Sequence, residues 1–181
     1  RMRDRIRDLP AQCHQGWQKG NSLPIPAPYR DIDRVVILGM GGSAIAGDLL
    51  TGLLGPEQAL PVHVYRDYNP PPFTNSRTLV IASSFSGKTE ETVDAFKEAL
   101  IKKAKTLAIT TGGTLGQLAK ETRTPTISIN VDGEPRSALG FTLFCLIGIL
   151  EKLNLMPEQS QDIDETIRNL DKMMTLINER I

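Results

Sequence analysis

Short apolar runs alternate along the chain with longer segments in which apolar residues recur every three or four positions. The runs are rich in β-branched residues and have the length of buried strands, at 34–39, 62–66, 77–83, 106–110 and 126–130. Helical patterns follow the first, third, fourth and fifth runs, at 43–54, 88–103, 115–121 and 137–153. This spacing predicts a doubly wound α/β fold, a three-layer α-β-α sandwich around a five-stranded parallel sheet.

The two ends of the chain lie outside this alternation. A short N-terminal helix is predicted around 11–18, and the proline-rich stretch at 23–30 is typical of a linker. A final apolar stripe with helical spacing is formed by Ile163, Ile167, Leu170, Met174, Ile177 and Ile181. We therefore divide the chain into an N-terminal helix and linker (1–33), one α/β domain (34–154) and a C-terminal helix (155–181). The last helix ends without a capping signal, so we expect it to lead into a further domain.

Composition argues against several classes of partner. The 21 basic residues balance 21 acidic residues, so no excess positive charge attracts nucleic acid or an anionic membrane surface. The longest apolar run, 141–150, has about half the length that crosses a bilayer. Cys13 and Cys145 lie far apart and form no CxxC pair, which predicts neither a disulfide framework nor a zinc site. We expect a reduced, cytoplasmic protein that binds no metal ion.

In a parallel sheet of this kind, ligands bind at the carboxyl ends of the strands, so the loops after the strands are the candidate sites. The first loop, at 39–44, reads GMGGSA and matches the G-x-G-x-x-A pattern that binds dinucleotides. That pattern also requires an acidic residue after the next strand, where Asp67 stands. A dinucleotide site and a glycine turn needed only for packing are the alternatives for this loop.

The loop at 83–92 reads SSFSGKTEET, and its centre is similar to the end of a nucleotide-binding P-loop. The first glycine of a P-loop is replaced by Ala82, and the only candidate for a magnesium-binding carboxylate is Asp132. The loop instead supplies three hydroxyls at the start of a helix, from Ser84, Ser86 and Thr89. Hydroxyls and helix amides together form a cradle for a single phosphate. The alternative is that Ser86 caps the helix and the other two hydroxyls face solvent.

The two remaining strand-end loops carry weaker signals. The stretch TTGGT at 110–114 predicts a turn and a helix cap. In DGEPRS at 132–137, Arg136 follows a proline at the entry to the long apolar helix. Arg136 can stabilise an anion or a developing enolate oxygen, or it can form a surface ion pair with Glu134. Glu134 is also a minor candidate for a general base, whereas His14 and His63 lie outside these loops and are expected to be structural or solvated.

Three motifs in this order resemble the SIS (sugar isomerase) domain family, and within it the N-terminal half of the bifunctional phosphoglucose/phosphomannose isomerases. They are GMGGS at 39–43 with GD at 47–48, SFSGKTEET at 84–92, and PRSALG at 135–140. The family usually has asparagine where this chain has Lys88, which we expect to contribute least to the site. The resemblance implies a flavodoxin-like strand order. It also implies a phosphate held by Ser84, Ser86 and Thr89, and a sugar lined by Gly41, Gly42 and Ser43.

The resemblance further implies an aldose-ketose isomerase that needs no cofactor. Its expected substrates are hexose 6-phosphates, with glucose 6-phosphate and fructose 6-phosphate interconverted through an enediol that Arg136 stabilises, and mannose 6-phosphate as a further candidate. In this family a histidine and a glutamate come from a second SIS domain and a partner subunit, so we expect a homodimer and an isolated chain that binds without turnover. The alternatives are a phosphosugar sensor, for which no helix-turn-helix pattern is present, and a dinucleotide-dependent oxidoreductase.

Overall fold

The computed structural model describes residues 2–55 and 60–179, without the side chains of 2–4 and 178–179. Its helices are α1 (Met2–Arg7), α2 (Leu9–Ser22), α3 (Gly41–Leu54), α4 (Glu90–Ile101), α5 (Gly113–Glu121), α6 (Leu139–Lys152) and α7 (Ser160–Glu179). Its strands are β1 (Arg34–Leu38), β2 (Val62–Tyr65), β3 (Thr78–Ser84), β4 (Lys105–Thr110) and β5 (Thr126–Ser128). Short 3-10 helices cover Ala27–Arg30 and Pro135–Ala138.

All neighbouring strands pair in parallel, in the order β2-β1-β3-β4-β5. This is the flavodoxin-like order, and it confirms the predicted fold class. The chain crosses from β2 to β3 over β1, so the direction of winding reverses between β1 and β3. In open parallel sheets, ligands bind in the crevice at such a switch point.

The two faces of the sheet carry separate hydrophobic cores because alternate strand residues point to opposite sides. Val35 and Ile37 of β1 pack in the core formed with α2, α3 and α6. Val36 and Leu38 pack against α4 and α5 on the other face. All seven residues of β3 are buried, as expected for a central strand covered on both faces.

Helices α2 and α6 pack through small residues at their closest approach. A Cβ added to Gly16 would lie 2.2 Å from the Phe141 carbonyl oxygen, and one added to Gly20 would lie 2.3 Å from that of Cys145. The predicted N-terminal helix of 11–18 was too short, since α2 spans 9–22 and contains both glycines. Glycine lowers helix propensity, but close packing against a neighbouring helix offsets that cost here.

The C-terminal helix α7 packs against α2, with Ile163 buried and Ile167 partly buried in the same core. Met173, Leu176 and Ile177 farther along the helix are exposed, and Ile181 of the predicted stripe lies outside the described residues.

Two predicted boundaries change. Strand β5 ends at Ser128, and the long apolar helix begins at Leu139 after the 3-10 turn. None of the helices in the described part of the chain is long and apolar enough to span a membrane.

Candidate functional site

Backbone contacts connect the strand-end loops at the carboxyl edge of the sheet. The amide of Phe85 donates to the hydroxyl of Ser43 at 3.3 Å, which joins the loops after β1 and β3. A Cβ on Gly42 would lie 3.2 Å from the Arg136 amide nitrogen, so the loop after β5 packs against the first turn of α3. Three of the sequence motifs therefore meet at one edge of the sheet.

The predicted hydroxyl residues cluster between β3 and α4. The Ser84 Oγ lies 3.1 Å from the Thr89 Oγ1 and accepts a hydrogen bond from the Gly87 amide at 3.1 Å. Ser84 ends β3 and is buried, whereas Ser86 lies at the exposed tip of the loop. The cluster therefore has a buried floor and a solvent-facing rim.

Ser86 does not cap α4. Its hydroxyl accepts a hydrogen bond from the Lys88 amide at 3.2 Å, while α4 begins at Glu90 and Thr89 occupies the N-cap position. The capping alternative for Ser86 is therefore wrong. Thr89 makes no side-chain hydrogen bond to the helix, so amides in the first turn of α4 have no hydroxyl cap from this position. Such amides, at the positive end of a helix dipole, attract anions.

The loop after β4 holds the loop that carries Ser84, Ser86 and Thr89 (the hydroxyl loop) in place. The Leu115 amide donates to the Gly87 carbonyl at 2.8 Å, and the Thr111 amide and hydroxyl both donate to the Phe85 carbonyl. The predicted turn and helix start are confirmed, since Gly112 is the N-cap of α5. The support of the neighbouring loop was missed, because no local pattern shows which loop lies beside it.

The first loop presents its backbone to the site. Gly41 has a φ of +50°, a left-handed conformation that favours glycine, and it begins α3. Ser43 is buried, and its hydroxyl is oriented by the Phe85 amide. Asp67, the acidic residue of the dinucleotide alternative, accepts a hydrogen bond from the Tyr68 amide at 2.7 Å. The carboxylate is thus engaged in its own turn after β2.

Tyr68 borders the start of α4, which the sequence did not indicate. Its hydroxyl pKa is raised, chiefly by the negative charge of Glu91 and further by partial desolvation and the charge of Glu90. The raised pKa extends the alkaline range over which the phenol is protonated and can donate a hydrogen bond.

The remaining candidates lie apart from the hydroxyl cluster. His63 on β2 packs against Phe73, with the two rings tilted by 49° and their centroids 5.0 Å apart. His14 is exposed on α2 and faces α7, and Asp132 lines a groove with Gln12 on α2. Across residues 2–55 and 60–179, no group of three or more His, Cys, Asp or Glu side chains is arranged to hold a metal ion.

Arg136 is exposed and pairs with Glu134, its Nε lying 3.5 Å from the carboxylate Oε2. The same oxygen receives a hydrogen bond from a terminal nitrogen of Arg5 at 2.6 Å. In the described part of the chain, no hydrogen bond joins Arg136 to the hydroxyls of the β3–α4 loop. Arg5 was missed because nothing in the charged N-terminal sequence indicates a contact with a loop 129 residues away.

Residues 29–146 match the family model of the SIS domain, a range that contains all three motifs and all four loops. The chain belongs to the SIS domain family. The loops after β1 and β3 and the turn that carries Arg136 all lie within this matched range. The loop after β4 supports them and carries no motif of its own.

The curated relatives of this chain include several bifunctional phosphoglucose/phosphomannose isomerases. The chain is 41% identical to the bifunctional phosphoglucose/phosphomannose isomerase of Caldicellulosiruptor bescii, over 93% of the chain and 50% of that protein. The identity to the protein of the same name from Thermoplasma volcanium is 38%, over 76% of the chain and 41% of that protein. The chain thus spans about half the length of the curated relatives it matches.

Solved structures confirm the SIS fold. The tagatose-6-phosphate ketose/aldose isomerase of Escherichia coli superposes with a TM-score of 0.66 over 97% of this chain and 52% of that one. The identity between the two is 18%, so the similarity concerns the fold.

Proposed function

We propose that this SIS chain is the phosphosugar-binding part of an aldose-ketose isomerase that interconverts glucose 6-phosphate and fructose 6-phosphate. Mannose 6-phosphate is a second candidate substrate, since the relatives carry both activities in their name. The observation that carries the proposal is the pairing of the Ser84 and Thr89 hydroxyls, 3.1 Å apart, at the start of α4, with the exposed Ser86 hydroxyl in the same loop. A compact group of hydroxyls beside helix amides suits a monophosphate dianion.

The phosphate contacts divide between buried and exposed groups. Ser84 holds its place through the Gly87 amide and is 3.1 Å from Thr89, so these two hydroxyls form one side of the cradle. Ser86 at the rim closes it, and the first amides of α4 complete the donor set. Lys88 is exposed beside this loop and is not required by the proposal.

The sugar carbons would lie beside Gly41, Gly42 and Ser43. The space next to Gly41 is open, and Gly42 allows the backbone of Arg136 to approach this loop. Isomerisation moves one proton between C1 and C2 and one between their oxygens, so no external oxidant or cofactor is needed. A base removes the carbon-bound proton, an enediolate forms, and protonation of the neighbouring carbon gives the product. Arg136 would stabilise the enediolate oxygen by its permanent charge.

The groups that open the ring and move the proton would come from outside this chain. An apolar cavity of about 370 Å³ opens beside Arg136 and is lined by Ile6, Leu49, Leu139, Leu143 and Leu170 among others. Ile45, Leu49 and Leu53 form an exposed stripe on α3 next to it. Such a surface is typical of an interface. We therefore propose that a second SIS domain and a partner subunit pack near it and complete the active site in a homodimer.

The decisive experiment measures ligand binding and turnover by the 181-residue chain. Ser86→Ala combined with Thr89→Ala is expected to abolish binding of fructose 6-phosphate by titration calorimetry and to leave the unfolding temperature within a few degrees. The matched control, Ser160→Ala with Thr175→Ala, removes the same two kinds of hydroxyl from α7 and is expected to bind normally. Unchanged affinity in the first double variant would place the phosphate elsewhere. Conversion of fructose 6-phosphate by the isolated chain would contradict the proposed division of the active site.

The alternatives make different predictions in a thermal-shift assay. A phosphosugar sensor would be stabilised by a sugar phosphate and would stay inactive even in its full-length form. A dinucleotide-dependent oxidoreductase would be stabilised by NAD(P) and not by a sugar phosphate. A cytoplasmic location is proposed because Cys13 and Cys145 are free thiols buried in the core.

A further inference from the structure

Helix α1 contacts the segment around Arg136, the 3-10 turn Pro135–Ala138 and the preceding Glu134, through one ion pair. A terminal guanidinium nitrogen of Arg5 lies 2.6 Å from the Glu134 Oε2 and 3.4 Å from the Ser137 hydroxyl. A Cβ on Gly133 would lie 2.6 Å from the Arg5 Cζ, and Gly133 has a φ of +121°. The guanidinium therefore rests against the backbone of the loop at Gly133, where a side chain would displace it.

Glu134 lies between two guanidinium groups that compete for one carboxylate oxygen. The contact with Arg5 has the length of a charge-assisted hydrogen bond, whereas the Nε of Arg136 is 3.5 Å from the same oxygen. The Arg5 side chain is 31% exposed and that of Arg136 is 71% exposed, so Arg5 is the less solvated partner. The short bond to the less solvated group orients the carboxylate toward Arg5.

We propose that Arg5 is a positioning residue for Arg136. By engaging Glu134 in the shorter bond, Arg5 weakens the pairing of that carboxylate with Arg136, whose guanidinium is then more available for the anionic oxygens of a bound phosphosugar. This inference rests on the proposed function, since it assumes that Arg136 faces the sugar. Without Arg5, Glu134 would neutralise Arg136 and would itself repel an anionic ligand.

The test is a double-variant cycle on fructose 6-phosphate affinity, measured by titration calorimetry at low salt. Arg5→Met is expected to weaken binding roughly fivefold, the size of effect that a partly exposed charge exerts. Glu134→Gln removes the competing charge, so it should bind at least as tightly as the unmodified chain. Arg5→Met with Glu134→Gln should regain the lost affinity, because no carboxylate remains to occupy Arg136. Arg77→Met is the control, since Arg77 pairs with Asp31 and Asp33.

The outcomes separate this inference from the function on which it rests. If the unmodified chain does not bind fructose 6-phosphate, the proposed function fails and the role of Arg5 fails with it. If the unmodified chain binds but Arg5→Met binds equally well, only the role of Arg5 is overturned. A double variant as weak as Arg5→Met would also overturn it, because loss of loop structure is not restored by Glu134→Gln. Equal unfolding temperatures of all variants without ligand exclude a loss of fold as the cause.

Discussion

A Cβ on Gly87 would lie 1.8 Å from the carbonyl oxygen of Gly112, so the loops after β3 and β4 are in backbone-to-backbone contact. Gly87 also has a φ of +65°, which disfavours any residue with a side chain. The position of the hydroxyl loop therefore depends on a neighbour that contributes no side chain to the proposed cradle.

Gly87→Ala is expected to lower the free energy of unfolding by about 1–3 kcal/mol and to weaken sugar-phosphate binding more than tenfold, because the methyl group must push the two loops apart. Denaturant unfolding and calorimetry measure both effects. Gly116→Ala is the matched control in the next helix, where a Cβ would meet the Thr110 Cγ2 at an ordinary 3.7 Å. Full binding by Gly87→Ala would show that the loop contact does not position the cradle.

A second prediction concerns Glu151, a carboxylate that is only 9% exposed and joins three helical segments. It accepts hydrogen bonds from the Trp17 indole on α2, from the Asn21 amide at 3.5 Å and from the Gln159 backbone before α7. Glu151→Ala is expected to cost about 2–3 kcal/mol of stability, because these donors lose a charged acceptor.

Trp17 is the only tryptophan, so its fluorescence reports directly on this contact. We expect a red-shifted emission and a lower denaturation midpoint for Glu151→Ala. Glu121→Ala, which removes an exposed carboxylate from the surface of α5, should change stability by no more than about 0.5 kcal/mol. Equal midpoints for the two variants would contradict the structural role of Glu151.

The third prediction is a loss of stability at alkaline pH. Burial raises the pKa of the Cys13 thiol from 9.0 to about 12, and burial also raises the pKa of Cys145. In the unfolded chain a thiol ionises near its ordinary pKa, whereas in the folded chain it stays neutral. The free energy of unfolding is therefore unaffected by this thiol below pH 9.0, and it declines as the pH rises from 9.0 toward about 12.

The contribution of each thiol is at most about 1.4 kcal/mol per pH unit in that window. Denaturant midpoints of the unmodified chain should consequently fall more steeply above pH 9.0 than those of Cys13→Ala. Tyrosines and lysines titrate in both proteins, so their effects cancel in the difference. Parallel curves would show that the folded Cys13 thiol ionises as easily as the unfolded one.

The apolar stripe on α3 gives a fourth prediction. We expect the isolated chain to self-associate at high concentration, because Ile45, Leu49 and Leu53 remain exposed when no second domain covers them. Ile45→Glu with Leu49→Glu should yield monomers in analytical ultracentrifugation. The control is Ile101→Glu, an equally drastic change of an exposed residue on α4, across the sheet. If the α3 double variant and Ile101→Glu associate to the same extent, the apolar stripe on α3 is not the interface.

The sheet was predictable because its strands are continuous apolar runs. The β-branched residues of β1 and β3 need burial on both faces, and that requirement specifies a parallel sheet between helices. The hydroxyls of the loop were equally visible, since Ser84, Ser86 and Thr89 stand next to a strand end. Both signals are local in the sequence.

The features that sequence reasoning missed depend on contacts between distant segments. The contact of Gly87 with Gly112, the bond of Arg5 to Glu134 and the packing of Gly16 on Phe141 each join segments that no periodicity relates. The error on Ser86 is of another kind. Ser86, three residues before Thr89, and Thr89 itself are both hydroxyl residues that can cap a helix, and only the geometry assigns the N-cap to Thr89.

The glycine-mediated packing of α2 on α6 has a practical consequence for anyone who shortens this chain. The family match begins at residue 29 and ends at 146, so a version trimmed to those limits would keep every proposed ligand-binding residue. It would also remove α2 and the end of α6, and it would leave the face around Phe141 and Cys145 open to water. We expect such a protein to precipitate because of this exposed apolar face, although all its motifs are intact. Its failure to bind a sugar phosphate would then say nothing about the site.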